Sequence, residues 1–178
     1  MGDRDGCFCG RPEIIVEPKS RLIDQDHFEK VVELLRLEAR AIDRSAANLD
    51  RRSVEAALAT IAACQGKVVV TGVGKSGVIG QKIAQTLTST GTVAIFVHPS
   101  DALHGGLGVI TAGDVVIALS NSGETDEILA ILPSIEGRQV PLISIVGNCD
   151  STLADQKNSL HGYPAGQDLR APGILYPA

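Results

Sequence analysis

The chain has 178 residues, of which 44% are hydrophobic, 3% aromatic and 19 glycine, with a formal net charge of −5. That length holds one α/β domain with a proper core and is short for two. A net-negative chain without tryptophan lacks both the basic face that grips a nucleic-acid backbone and the aromatic platforms on which bases stack, so nucleic acid is not an expected partner. The four cysteines (Cys7, Cys9, Cys64, Cys149) form no Cys-x-x-Cys pair, which fits reduced thiols in a cytoplasmic protein. No apolar run approaches the roughly 20 residues of a membrane span. The first twenty residues show no apolar signal-peptide core, so no membrane association is expected.

Residues 1–20 carry Gly6, Gly10, Pro12 and Pro18 without periodicity, and read as a poorly ordered tail ahead of a single domain over 21–178. From Gln25 to Leu49, Phe28, Val31, Val32, Leu34, Leu35, Ala39 and Ile42 recur at helical spacing, predicting a long amphipathic helix. A second helix is expected over 52–64, stopped by Gly66. An alternation follows: strand 67–71, helix 78–89, strand 92–97, a Gly- and His-rich loop, strand 114–119, helix 124–135 and strand 140–146. This order predicts βαβ units around a parallel sheet, and the unbroken apolar strands predict helices on both faces. From about residue 156 the pattern changes to Gly, Pro and polar residues, with at best a short strand near Leu160–Tyr163 and no closing helix.

Two strand–turn–helix junctions carry the chemistry. Ser120-Asn121-Ser122-Gly123-Glu124-Thr125 follows an apolar run and opens a helix, aiming backbone N–H groups, the helix dipole and three hydroxyls at one point that suits a phosphate. The bland alternative makes Ser122 a helix cap and Thr125 a first-turn residue. Glu124, Asp126 and Glu127 crowd the same helix start, where the dipole favours acids. Three carboxylates repel a phosphate unless they point elsewhere, and one facing the sugar is a candidate acid–base group. Upstream, Gly72-Val73-Gly74-Lys75-Ser76-Gly77 puts an ammonium and a hydroxyl at a turn, with a surface lysine and an N-cap serine as the alternative. Its Gly-x-Gly-x-x-Gly spacing matches the dinucleotide fingerprint, but the next strand ends at His98-Pro99 without the ribose-binding acid. The P-loop pattern also fails, because Val69 stands where its first glycine belongs. His98, Asp101 and His104 share one loop, at a spacing that is no recognised zinc set.

Gly72-Val73-Gly74-Lys75-Ser76-Gly77, Ser89-Thr90-Gly91-Thr92, His98-Pro99, His104-Gly105, Leu107-Gly108 and Ser120-Asn121-Ser122-Gly123-Glu124 together resemble the sugar isomerase (SIS) domain of arabinose-5-phosphate isomerases. The resemblance runs over roughly residues 28–155. It implies a five-stranded parallel sheet sandwiched by helices in a flavodoxin-like three-layer arrangement, preceded by an N-terminal helical segment. It also implies a homo-oligomer, a tetramer in this family, and a pentose phosphate substrate. The implied reaction interconverts ribulose 5-phosphate and arabinose 5-phosphate through an enediol, with no cofactor. On the same grounds Gly74, Ser76, Ser120, Asn121, Ser122 and Thr125 bind the substrate and its phosphate, while Lys75, Glu127 and His104 match catalytic positions. His104 also matches a position that attracts inhibitory zinc.

The resemblance fades toward the end of the chain. The family continues past its fifth strand with a Glu-x-Cys-Pro segment, an Ala-Pro-Thr turn, a further helix and a histidine. Here Asp168 lies within a residue of the second catalytic glutamate, His161 or a neighbouring subunit would have to replace the downstream histidine, and no CBS domains follow. A non-catalytic sugar-phosphate-binding module, or an inactive truncated form, is therefore the alternative expectation.

Overall fold

The apolar runs fold as strands β1 (Val68–Gly72), β2 (Ala94–Phe96), β3 (Val115–Ser120) and β4 (Leu142–Val146), joined by a short β5 (Ser159–His161). The structure is a computed structural model that describes residues 26–155 and 159–161. The expected tail, Asp168 and everything from 162 onward lie outside the described residues. The five strands form one sheet in the order β2-β1-β3-β4-β5, every pair parallel. β1 and β3 are buried at every position, which explains why both read as continuous apolar runs. Each fully buried valine or isoleucine there contributes about 1.5–3 kcal/mol.

Helix α2 (Arg51–Ala62) and helix α3 (Gly74–Ser89) cover one face, where Ala57, Ile61, Ile83, Ala84 and Leu87 pack on Val68, Val70, Val115 and Ile117. Helices α4 (Pro99–Leu103) and α5 (Asp126–Gly137) cover the other, through Ala102, Ile131 and Ile135 against Val69 and Val116, and Ile128 and Leu132 against Ala118. The order steps outward from β1 to β2 in one direction and from β3 to β4 in the other. With right-handed crossovers, that reversal puts α3 and α5 on opposite faces and leaves a crevice at the carboxyl ends of β1 and β3. Helix α1 (Asp26–Asn48) precedes these elements. The chain divides inside it, into units Met1–Ala39 and Arg40–Ala178. Phe28, Val31 and Leu35 of the first unit are exposed, as is Ile42 of the second.

Two helix starts and one loop differ from expectation in ways that bear on the site. Helix α3 begins at Gly74 rather than Val78, so the glycine turn is already its first turn. Gly77 must approach Gly72 closely there: a Cβ on Gly77 would sit 2.8 Å from the Gly72 carbonyl oxygen. Helix α5 begins at Asp126 rather than Glu124, because the hydroxyl turn binds its own backbone first. The segment expected as a Gly- and His-rich loop holds α4 and a 3₁₀ turn, Gly106–Val109. Pro99 opens α4 with its φ already set, and His98 caps it by accepting from Ser100 N–H at 3.2 Å.

At the end of the sheet opposite the crevice, buried Asp114 fastens β3 to the residue before β1. Its carboxylate accepts from Lys67 N–H at 2.9 Å, Lys67 Nζ at 2.7 Å, Thr111 N–H at 2.7 Å and Thr111 Oγ1 at 3.1 Å. Burial raises the pKa of this carboxyl, but these donors outweigh it and hold the group at about 2.

Candidate functional site

The β3–α5 turn is organised around one buried hydroxyl. Ser120, 3% exposed, accepts the Gly123 N–H at 3.0 Å and lies 2.8 Å from Thr125 Oγ1 and 3.5 Å from Ser122 Oγ. Ser122 is exposed, and its Oγ accepts the Glu124 N–H at 3.2 Å. The three hydroxyls expected to hold a phosphate are thus brought together, with Ser120 underneath and Ser122 and Thr125 above it. The cap reading of Ser122 does not hold. The residue at the N-cap of α5 is Thr125, and its side chain makes no capping bond.

The same holds at β1. Ser76 is not the cap of α3, as its alternative reading had it; Val73 occupies that position and offers no side-chain acceptor. By contrast α2 is capped by Asp50 and α4 by His98. Helices α3 and α5, which start at the crevice, have no side-chain cap, so an anion there would face the positive end of each helix dipole. β1 and β3 are neighbours with Gly72 opposite Leu119, so Lys75 and Ser76 start from a strand end directly beside the hydroxyl turn. Gly74 adopts φ +57, and a Cβ there would meet nothing within 4 Å, which leaves space over the turn.

The histidines follow the next strand outward. His98 lies at the end of β2, with Nδ1 committed to capping α4, so its proton is assigned to Nε2. His104 is exposed at the C-cap of the same helix. A cavity of about 560 Å³ lies between α3 and α4, lined by Gln81, Phe96, His98 and Asp101 among others but not by His104. Glu127 sits half-buried in the first turn of α5. Among the described residues no group of three or more His, Cys, Asp and Glu is arranged to hold a metal ion, and no helix is long and apolar enough to cross a membrane.

Sequence reasoning missed the loop after β4. Gly147 N–H donates to the Asn121 carbonyl at 3.1 Å, and a Cβ on Gly147 would collide with that carbonyl and with Asn121 Oδ1. The Asn121 side chain therefore lies along this loop. Leu153 N–H donates to the Gly123 carbonyl at 3.1 Å, and the Glu124 carboxylate accepts from Thr152 N–H and Thr152 Oγ1. Glycine directly after an apolar strand, followed by Asn148, Asp150, Ser151 and Thr152, was the available signal of a hydrogen-bonded turn.

Residues 61–163 match the model of the SIS domain. Among curated relatives, the arabinose 5-phosphate isomerase KdsD of Shigella flexneri is 58% identical over 91 residues, covering 51% of this chain and 28% of that protein. The arabinose 5-phosphate isomerase KpsF of Escherichia coli O6:H1 is 40% identical over 144 residues, 81% of this chain and 44% of that protein. The chain thus spans less than half the length of these curated relatives. A solved structure of an Escherichia coli CFT073 protein in complex with arabinose 5-phosphate superposes with a TM-score of 0.74 at 39% identity, covering 79% of this chain and 74% of the other.

Proposed function

We propose that this chain, which belongs to the SIS-domain family, binds a pentose phosphate at the Ser120–Thr125 turn and interconverts ribulose 5-phosphate with arabinose 5-phosphate. The observation that carries the reading is the set of three hydroxyls held within 3.5 Å around Ser120, at the uncapped start of α5. The names of the relatives, and the sugar phosphate bound in the neighbouring structure, support this substrate class.

In this reading Ser122, Thr125 and the first N–H groups of α5 take the phosphate, with Ser120 holding the other two hydroxyls in place. Gly74, Ser76 and Asn121 border the sugar. The reaction is an internal transfer: a base removes the proton from the carbon beside the carbonyl, an enediol forms, and the proton returns to the neighbouring carbon. Glu127 serves as that base, and the Lys75 ammonium steadies the oxygen on which negative charge develops. His104, at the end of α4, assists proton movement between the two oxygens and is the position at which zinc would inhibit. We extend the reading to a cytoplasmic homo-oligomer, a tetramer as in the resembling family. Exposed Ile42, Val78 and Ile79 support association of copies.

The test is incubation of purified protein with ribulose 5-phosphate while arabinose 5-phosphate is followed. Turnover that Lys75→Ala and Glu127→Gln each abolish is the expected result. Binding without turnover would assign the chain as a sugar-phosphate-binding module, and neither binding nor turnover would refute both readings.

A further inference from the structure

We infer that Glu124 is a positioning residue: its carboxylate, clasped by Thr152, holds the hydroxyl turn in its anion-binding shape rather than serving as acid, base or ligand. The inference rests on the reading of that turn as a phosphate site. Three fastenings join the turn to the loop at 147–155. Two run through backbone, Asn121 to Gly147 and Gly123 to Leu153, each at 3.1 Å. The third runs through the Glu124 side chain, whose Oε1 accepts the Thr152 N–H at 2.6 Å and whose Oε2 accepts the Thr152 hydroxyl at 2.9 Å.

The loop on the other side is itself braced. Asp150 N–H donates to Asn148 Oδ1 at 3.1 Å, and Ser151 Oγ donates to the Asn148 carbonyl at 2.7 Å. Gly123 adopts φ +71, and a Cβ there would run into the Ser151 side chain, so turn and loop interlock at that point. The Glu124 backbone N–H donates to Ser122 Oγ. One residue therefore holds the cradle's exposed hydroxyl with its backbone while its side chain is held from the far loop. Two donors on the carboxylate also offset part of its charge at a helix start where three acids would otherwise repel a phosphate.

This assignment predicts an effect of opposite sign to simple electrostatics. Removing an exposed negative charge beside an anion site strengthens anion binding when the charge does nothing else. Loss of a positioning group weakens it. Arabinose 5-phosphate and inorganic phosphate are titrated calorimetrically into the wild type and into Glu124→Ala, Glu124→Gln and Thr152→Val.

Glu124→Ala is expected to bind both probes about tenfold more weakly, and to raise KM by the same factor with kcat unchanged. Thr152→Val should move the same way. Glu124→Gln, which keeps an acceptor oxygen and drops the charge, should recover most of the affinity. The Glu124→Ala/Thr152→Val double variant should bind no more weakly than Glu124→Ala, because the two groups act as a pair.

Glu124→Ala binding as tightly as wild type, or more tightly, overturns the inference, as does additivity of the two changes. If Glu124→Ala fails to fold, Thr152→Val and Glu124→Gln carry the same comparison. If the wild type binds neither probe, the phosphate reading fails. Amide exchange at Gly123–Thr125 in the free protein then decides the clasp: faster exchange in Thr152→Val supports it, and unchanged exchange overturns it.

Discussion

Replacing Ser120 with alanine removes one oxygen from the centre of the site, and the structure fixes what that oxygen does. It accepts the N–H of buried Gly123 at 3.0 Å and lies 2.8 Å from Thr125 Oγ1. Thr125 is half-buried, so water can replace its lost partner, whereas the Gly123 N–H has no solvent to turn to. An abandoned buried donor costs about 1–3 kcal/mol, so Ser120→Ala should lower the unfolding free energy by about 2 kcal/mol. Ser122 is exposed, and the same change there should leave stability within about 0.5 kcal/mol of wild type. Affinity should fall in both variants. Ser122→Ala loses a direct bond to a charged group, about 1–2 kcal/mol, and Ser120→Ala loses the arrangement of the hydroxyls above it. Urea unfolding and calorimetric titration with arabinose 5-phosphate separate the two quantities. Equal stability losses in the two variants, or a Ser120→Ala protein with wild-type stability and affinity, would refute the assignment of Ser120 as the buried organiser.

Two further predictions concern the frame that carries the site. Asp114 is held at about 2 against an ordinary 3.8, and because the folded value is the lower one, its stabilisation is complete above about pH 5 and lost as pH falls toward 2. That difference corresponds to about 2 kcal/mol, so the gap in unfolding free energy between wild type and Asp114→Asn should be present at pH 7 and shrink below pH 4. A gap that does not change with pH would contradict the account. The Oγ1 of Thr71, 1% exposed, has no hydrogen-bond partner among the described residues, and Thr71 lies opposite Ala118 in the sheet. Thr71→Val removes a buried, unpaired hydroxyl at nearly constant shape, and should raise thermal stability or leave it unchanged. A fall in the unfolding free energy of more than about 1 kcal/mol would show that the hydroxyl has a partner in solution.

The sheet was legible because its central strands are buried on both faces, and burial leaves an unbroken apolar run such as Val115–Leu119. The two strand–turn–helix junctions were legible for a related reason: hydroxyls and glycines cluster between an apolar run and a helix. Helix starts were harder to read. Gly74 takes φ +57 on entry to α3, and the close contact of Gly77 with Gly72 is a feature of packing that the letters alone do not show. Helix α4 is five residues long and capped by a histidine, which is too short for periodicity and uses an uncommon cap. The Glu124–Thr152 clasp spans 28 positions and needs the β4 loop to be already in place. From sequence, Glu124 therefore stayed one of three crowded acids, and only the fold shows that Thr152 holds its carboxylate.

The most direct test of the central claim is to follow arabinose 5-phosphate by proton NMR in D₂O with the purified chain. The account predicts that ribulose 5-phosphate appears, with deuterium at its C1 wherever the base exchanges its proton with solvent before returning it, and at C2 of arabinose 5-phosphate re-formed by the reverse reaction. Arabinose 5-phosphate that stays unconverted and free of deuterium, under conditions where calorimetry shows it bound, would contradict isomerisation at this site.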